Sequence, residues 1–249
     1  MSRHVTTMTI DDAEHYTPEQ RAEIIASYPA HEREARTKGI PIMGSGRVFP
    51  VLEEDILVEP FAIPMHWPVI NGLDFGWDHP FACVTLAWDR DADCLYVTRE
   101  YAARESTPVI HAAAVRAWGP VPCAWPHDGL QHDKGSGEQL AAQYRAQGLP
   151  MLHEKATFED GSNGVEAGVS EMLTRMETGR WKVFRTCIGW IGEFRLYHRD
   201  KGLIVKVKDD RISASRYAMM MRRFAKPGFE PDFEEQYEND GGRSEHAGY

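Results

Sequence analysis

The stretch from Trp67 to Tyr101 limits the possible folds most tightly. It holds three apolar runs, 67–75, 82–89 and 94–101, each of strand length and rich in β-branched or aromatic residues. The second and third are separated only by Asp89-Arg90-Asp91-Ala92-Asp93, a polar turn that predicts a hairpin. The first, Val69-Ile70-Asn71-Gly72-Leu73-Asp74-Phe75-Gly76, ends on an acid closed by glycine. A buried strand that finishes on a carboxylate holds it rigidly and presents it to the cleft beyond the sheet edge.

Upstream, Thr17-Pro18-Glu19-Gln20 predicts a helix start, with Thr17 as cap, Pro18 in first position and Gln20 closing a capping box. That helix runs to about Ala26. Residues 29–66 carry Pro29, Pro41, Pro50, Pro60 and Pro64, which predicts an arm with short strands near Arg47–Pro50 and Ile56–Glu59 rather than an independent core.

Downstream, Thr107-Pro108 caps a helix reaching Trp118, with Val109, Ala112, Ala113 and Ala117 facing inward. Val121–Trp125 is a short strand, Ser136-Gly137-Glu138-Gln139 a capping box opening a helix to about Gln147, and Pro150–His153 a further strand. Asn163-Gly164 opens a helix whose Val165, Val169, Met172, Leu173 and Met176 keep helical spacing. A strand at 181–184 and a helix near 188–198 follow. Leu203, Val205 and Val207 alternate as in a half-solvated strand, and a last amphipathic helix follows Asp209-Asp210. This order predicts an α/β layer, a mixed central sheet covered by helices. The expected divisions are an arm over 1–66, the main domain over 67–226 and an acidic, disordered tail over 227–249.

The chain of 249 residues, 42% hydrophobic, can bury an ordinary core. No apolar run reaches the roughly 20 residues that cross a bilayer, and Met1–Asp12 lacks the apolar stretch of a signal peptide. A soluble cytoplasmic protein with no membrane partner is therefore expected. Cys83, Cys94, Cys123 and Cys187 are far apart and form no CxxC pair, so buried free thiols are expected. The formal net charge of −10 disfavours a nucleic-acid partner, but its distribution is uneven. From Lys226 onward seven acids face two basic residues, a net of −5, whereas residues 195–223 are rich in arginine and lysine.

Three acids take comparable places. Asp74 ends the first core strand, Asp128 follows the Val121–Trp125 strand, and Asp210 opens the last helix, where the dipole favours a carboxylate. Adjacent parallel strands deliver their C-terminal ends to one sheet edge, so the first two can converge, and a helix packed across that edge can supply the third. Acids so gathered repel one another unless a hard cation such as Mg²⁺ or Mn²⁺ joins them. Taken singly, each has a commoner use: Asp128-Gly129 makes a turn, and Asp209 or Asp210 caps a helix.

The combination resembles a known family. The segments Gly72-Leu73-Asp74-Phe75-Gly76-Trp77-Asp78-His79-Pro80, Pro126-His127-Asp128-Gly129 with Asp133-Lys134-Gly135-Ser136-Gly137, and Asp209-Asp210-Arg211-Ile212-Ser213-Ala214-Ser215-Arg216-Tyr217-Ala218 look like the C-terminal nuclease domain of the large terminase subunit of tailed bacteriophages. The resemblance covers about residues 40–225. It implies an RNase H-like (retroviral-integrase-like) fold and a DNA endonuclease that cuts concatemeric viral DNA during genome packaging. It further implies that Asp74, Asp128 and Asp210 are metal ligands; Asp209, and Asp78 and Asp133, which lie near the site in sequence, are second choices. Some members carry an extra acid three residues beyond the Asp210 position, where this chain has Ser213.

The implied cofactors are Mg²⁺ or Mn²⁺, two ions when DNA is bound, and no nucleotide. The implied partners are double-stranded viral DNA, the terminase small subunit, the portal of the procapsid and the packaging ATPase domain of the same subunit. The site of action would be the host cytoplasm, in a motor that is not a stable part of the mature virion. Residues 17–50 are similar to the segment joining ATPase and nuclease. The chain has no GxxxxGK[ST] phosphate loop, which predicts an isolated nuclease domain, or a separately made product, with no ATP hydrolysis of its own.

Further expectations concern neighbouring groups. Lys134, Lys206, Lys208, Arg211 and Arg216 are candidate DNA contacts, and His127 and His132 candidate proton shuttles. Trp181, Trp190 and Tyr197 read as core. Two other classes stay open: an actin-like or sugar-kinase-type ATP-binding domain, whose first strand also carries Gly-x-Asp-x-Gly, and a catalytically inactive DNA-binding assembly module.

Overall fold

The computed structural model describes residues 9–10, 15–27, 37, 46–131 and 137–227. Helix α1 (Pro18–Ser27) begins with the expected reciprocal cap. The Thr17 N–H donates to Gln20 Oε1 at 3.0 Å, and the Gln20 N–H to Thr17 Oγ1 at 3.3 Å.

The one-turn helix α2 (Glu53–Ile56) leads into β1 (Leu57–Val58). Strands β2 (Pro68–Asp74), β3 (Phe81–Asp89) and β4 (Cys94–Ala103) form an antiparallel meander. Helix α3 (Pro108–Arg116), strand β5 (Cys123–Ala124), a 3₁₀ turn over His127–Leu130 and helix α4 (Leu140–Ala146) follow. Then come α5 (Val165–Glu177), β6 (Trp181–Phe184), α6 (Ile188–Leu196), the small hairpin β7 (Arg199–Asp200) and β8 (Leu203–Ile204), α7 (Asp210–Met220) and β9 (Lys226–Pro227).

Among the described residues the main sheet has seven strands in the order β1-β6-β4-β3-β2-β5, with β9 also on β2. It is mixed: β1, β6 and β4 pair in parallel, as do β2 and β5, around the antiparallel meander. Because β2 and β5 are parallel, both strands end at the same edge of the sheet. Inside that pair, the buried Asn71 accepts from Thr85 Oγ1 at 2.7 Å and donates to Cys123 Sγ at 3.7 Å, tying β2 to both neighbours.

Helices cover both faces. On one, α5, α6 and α7 bury Trp181, Trp190, Met172, Phe194 and Ile212 against Ile70, Leu86 and Val183. On the other, α3 and α4 enclose Leu73, Phe75, Phe81, Trp125 and Tyr144. Each fully buried side chain of this kind contributes about 1.5–3 kcal/mol. Trp181, Trp190 and Tyr197 belong to the core, as expected, and all four cysteines are free and buried.

Several local expectations need correction. Val48, Phe49, Val51 and Ile56 lie in the main core and β1 closes one edge of the main sheet, so 46–58 is integral to the domain rather than an arm. Prolines there break up regular structure, but the apolar residues between them still find burial. Helix α3 turns His111, Ala112 and Val115 inward and leaves Val109 54% exposed, because the weak alanine pattern did not define a face. Helix α4 starts at Leu140, past the proposed capping box, whose Ser136 lies outside the described residues. The 203–208 strand shrinks to Leu203–Ile204 in a separate two-stranded hairpin, because the Lys201-Gly202 turn pairs it back on β7. The tail beyond residue 227 also lies outside the described residues.

Candidate metal centre

Asp74 is the last residue of β2, and Asp128 sits in the 3₁₀ turn that follows its parallel neighbour β5. Both strands run the same way, so the two acids leave the sheet at one edge. Helix α7 crosses β2 so closely that a Cβ on Gly72 would lie 1.8 Å from the Ala214 carbonyl oxygen. That approach is open only to glycine, and it brings the first residue of α7, Asp210, to the same edge.

The electrostatics record the convergence. The Asp74 carboxyl is held well above the usual carboxylate range, first by burial, then by the charges of Asp210 and Asp209, with Asp128 adding to them. Asp209 is also raised, by burial and by Asp210. Arg216 works against both shifts. Asp210 is itself buried and sits 3.1 Å, through Oδ1, from Nδ1 of His79. Asp128 is exposed, and its Oδ1 accepts from Gln131 Nε2 at 3.4 Å.

The donors are hard carboxylate oxygens, the type that Mg²⁺ and Mn²⁺ take in preference to Zn²⁺ or copper. Among the described residues no three His, Cys, Asp or Glu groups already stand together as a finished ligand cage. The acids are carried by three separate elements, and their mutual repulsion adds to the effect of burial in raising Asp74. The residues fit a hard divalent ion: its charge would relieve a repulsion that Arg216, with Lys206 beside Asp209, offsets in part.

Of the other expected groups, Lys206 and Lys208 are exposed on the segment entering α7, and Lys206 acts on Asp209. Arg216, expected at a DNA surface, is 4% exposed; its guanidinium packs over the Tyr217 ring and its Cγ and Cδ methylenes lie against Gly168. Arg211, expected likewise, is held between Glu193 and Glu100, at 2.8 and 3.0 Å. His127 turns Nδ1 toward Lys155 Nζ at 2.8 Å. His132, Asp133 and Lys134 lie outside the described residues. Asp78 is exposed in the loop after β2.

Sequence reasoning missed His79 and Glu193 and expected Arg216 at the surface. His79 stood inside the quoted Asp78-His79-Pro80 motif, so its signal was present. Arg216 was read by charge alone, and the stripe formed by Ile212, Arg216 and Met219 on the inner face of α7 could have marked it as internal. Glu193 left no local signal, because its partner lies a helix away.

The family model described as "Terminase RNaseH-like domain" matches residues 71–222, which contain all three acids. The chain belongs to this terminase family. A second model, "Terminase large subunit, T4likevirus-type, N-terminal", matches residues 2–56. The large terminase subunit of Salmonella phage P22 is 56% identical over 227 residues, 90% of this chain and 46% of that protein. That of Enterobacteria phage LP7 is 55% identical, over 89% of this chain and 47% of the relative. The terminase chain described here thus spans about half the length of these curated relatives.

The solved nuclease domain of the P22 large terminase superposes with a TM-score of 0.70 at 52% identity, covering 74% of this chain and 96% of that domain. The large terminase of a thermophilic bacteriophage shares the fold at 15% identity, with a TM-score of 0.55 over 84% of this chain and 54% of that one. The mixed sheet with helices on both faces is accordingly an RNase H-like fold.

Proposed function

We propose that this terminase chain is a divalent-metal-dependent DNA endonuclease that cuts concatemeric viral DNA during genome packaging. The observation that carries this reading is the geometry of β2, its parallel neighbour β5 and the closely crossing α7, whose ends carry Asp74, Asp128 and Asp210. The likeness to the P22 nuclease domain supports it.

In this reading Asp74, Asp128 and Asp210 hold the metal and Asp209 is the alternative donor. One or two Mg²⁺ or Mn²⁺ ions bound there would supply Lewis-acid activation of water and stabilise the departing 3′ oxygen. The protein's own part is positional. β2 and β5 fix two carboxylates on a rigid edge, α7 fixes the third, and His79 orients it. Arg216 limits their mutual repulsion. Lys206 and Lys208, exposed beside α7, would attract the phosphate backbone without reading bases, so sequence preference in the isolated domain is low.

The remaining assignments follow from the kinship with large terminases. The match of residues 2–56 supports a link to a packaging ATPase domain. Site choice would come from the small subunit and the portal, and the setting would be the host cytoplasm. No helix of the described residues is long and apolar enough to cross a membrane.

Supercoiled plasmid incubated with the purified chain and Mn²⁺ or Mg²⁺ tests the reading. Nicking or linearisation that EDTA abolishes and ATP leaves unchanged is expected. Hydrolysis of ATP without cleavage would favour an actin-like nucleotide site, and metal-independent DNA binding without cleavage an inactive assembly module.

A further inference from the structure

Helix α7 carries two adjacent aspartates at its start, yet neither caps it. Asp209 occupies the N-cap position and its side chain makes no capping hydrogen bond. The first backbone N–H groups of a helix have no partner within the helix and normally take a local side-chain oxygen. Here the acceptor comes from another helix. Glu193, in α6 and 5% exposed, accepts from the backbone N–H of Arg211 at 2.7 Å and of Ile212 at 3.1 Å, both through Oε2.

The same arrangement recurs one step further back. Helix α6 has Cys187 at its N-cap, without a side-chain cap. Glu100, from β4, accepts from the N–H groups of Gly189 at 2.7 Å and Trp190 at 2.6 Å. Arg211 joins the two carboxylates: its guanidinium meets Glu193 Oε1 at 2.8 Å and Glu100 Oε2 at 3.0 Å. It can lie across the start of α6 only because residue 189 is glycine, where a Cβ would stand 2.5 Å from Arg211 Cζ.

A cap for stability alone needs no such device, since Asp209 already stands where a capping side chain belongs. Importing Glu193 buries a carboxylate, and that burial pushes it up to about 7 despite Arg211. The arrangement has one distinctive consequence. With the helix amides satisfied from behind, the Asp209 and Asp210 carboxyls are released from capping and both act on Asp74.

We propose that Glu193 is the positioning residue of the acidic site: it clamps the first turn of α7 and thereby sets the direction of the Asp210 carboxylate, while Arg211 and Glu100 anchor the clamp to the sheet. This inference rests on the metal-nuclease reading above.

The test titrates Mn²⁺ into the full chain and follows the free-ion signal by electron paramagnetic resonance, with far-UV circular dichroism on each sample. Glu193→Gln keeps one acceptor oxygen but turns an amide toward Arg211; it raises the Mn²⁺ dissociation constant about tenfold while the spectrum stays that of the wild type. Arg211→Lys keeps the charge but cannot fork between two carboxylates; it weakens Mn²⁺ in the same direction, and decides the matter if Glu193→Gln does not fold. A purely structural Glu193 would lower the melting temperature and leave the metal affinity of folded protein unchanged, and that result overturns the proposal. Asp74→Asn separates the two levels. If it loses Mn²⁺ while folded Glu193→Gln binds as the wild type does, only the positioning role fails. If Asp74→Asn binds as the wild type does, the metal site and this inference fail together.

Discussion

Nδ1 of His79 lies 3.1 Å from Oδ1 of Asp210, although 131 residues separate the two in sequence. The imidazole is largely solvated, and the carboxylate beneath it is 8% exposed. The Asp210 carboxyl is thus oriented from outside by His79, while the turn that carries it is held from inside by Glu193. Partners that orient a metal-ligating side chain are commonly worth ten- to a hundredfold in metal affinity or activity. His79→Ala should therefore slow plasmid nicking by about ten- to a hundredfold, with Mn²⁺ half-saturation raised. Unchanged kinetics at every Mn²⁺ concentration would remove His79 from the site.

The crossing of α7 over β2 predicts opposite outcomes at two glycines. Gly72→Ala places a methyl 1.8 Å from the Ala214 carbonyl, backbone against backbone, and should destabilise the fold by about 3 kcal/mol. It should also abolish cleavage, since α7 can only move away from Asp74. Gly192→Ala meets nothing within 4 Å in helix α6 and should stabilise by up to about 1 kcal/mol. Urea unfolding of both variants checks the contrast, and equal effects would contradict the packing described.

DNA binding separates exposed from internal cations. Lys206→Ala and Lys208→Ala should each lower the slope of log affinity against log salt by about one, measured by fluorescence anisotropy on a short duplex in EDTA. Arg216→Gln should leave that slope unchanged while lowering stability, because its guanidinium is buried beside Tyr217 and Met220. A slope change for Arg216→Gln equal to that of the lysines would return it to the DNA surface.

Stability should carry a pH signature from His111. Burial pushes this imidazole below its ordinary range, with the Ser106 backbone working the other way. Above about pH 6.5 neither folded nor unfolded chain takes up its proton, and the contribution is complete. Below that value the unfolded chain is protonated first, so stability falls with pH until the depressed folded value is passed. Glu193, raised to about 7, titrates with the opposite sign between its unfolded value and 7, stabilising as pH falls. The informative quantity is the difference between wild type and His111→Phe, which keeps the stack on Phe81 and Tyr144. That difference should shift in favour of the variant between pH 7.5 and 5.5, read as urea midpoints, around the ordinary histidine value of about 6.5; a constant difference would exclude the His111 term.

Much of this fold was legible in the sequence because its signals are local. The three strands from 68 to 103 declare themselves by apolar runs and a polar turn, and the capping box of Thr17 and Gln20 by spacing alone. The acids at strand ends were visible for the same reason. Hidden were features fixed by distant partners. Nothing near Glu193 announces that it caps another helix, and Arg216 looks like any surface arginine until Gly168 and Tyr217 close around it. Val48 and Phe49 were discounted because prolines surround them, yet hydrophobic burial depends on what a segment reaches, not on its regularity.

In the proposed function Asp74, Asp128 and Asp210 form one metal-dependent catalytic centre. The most direct test measures Mn²⁺-dependent relaxation of supercoiled plasmid by the wild type and by Asp74→Asn, Asp128→Asn and Asp210→Asn at matched concentration. Each substitution should lower the EDTA-sensitive rate by at least about a hundredfold with circular dichroism unchanged. Cleavage by Asp74→Asn at the wild-type rate would contradict the account.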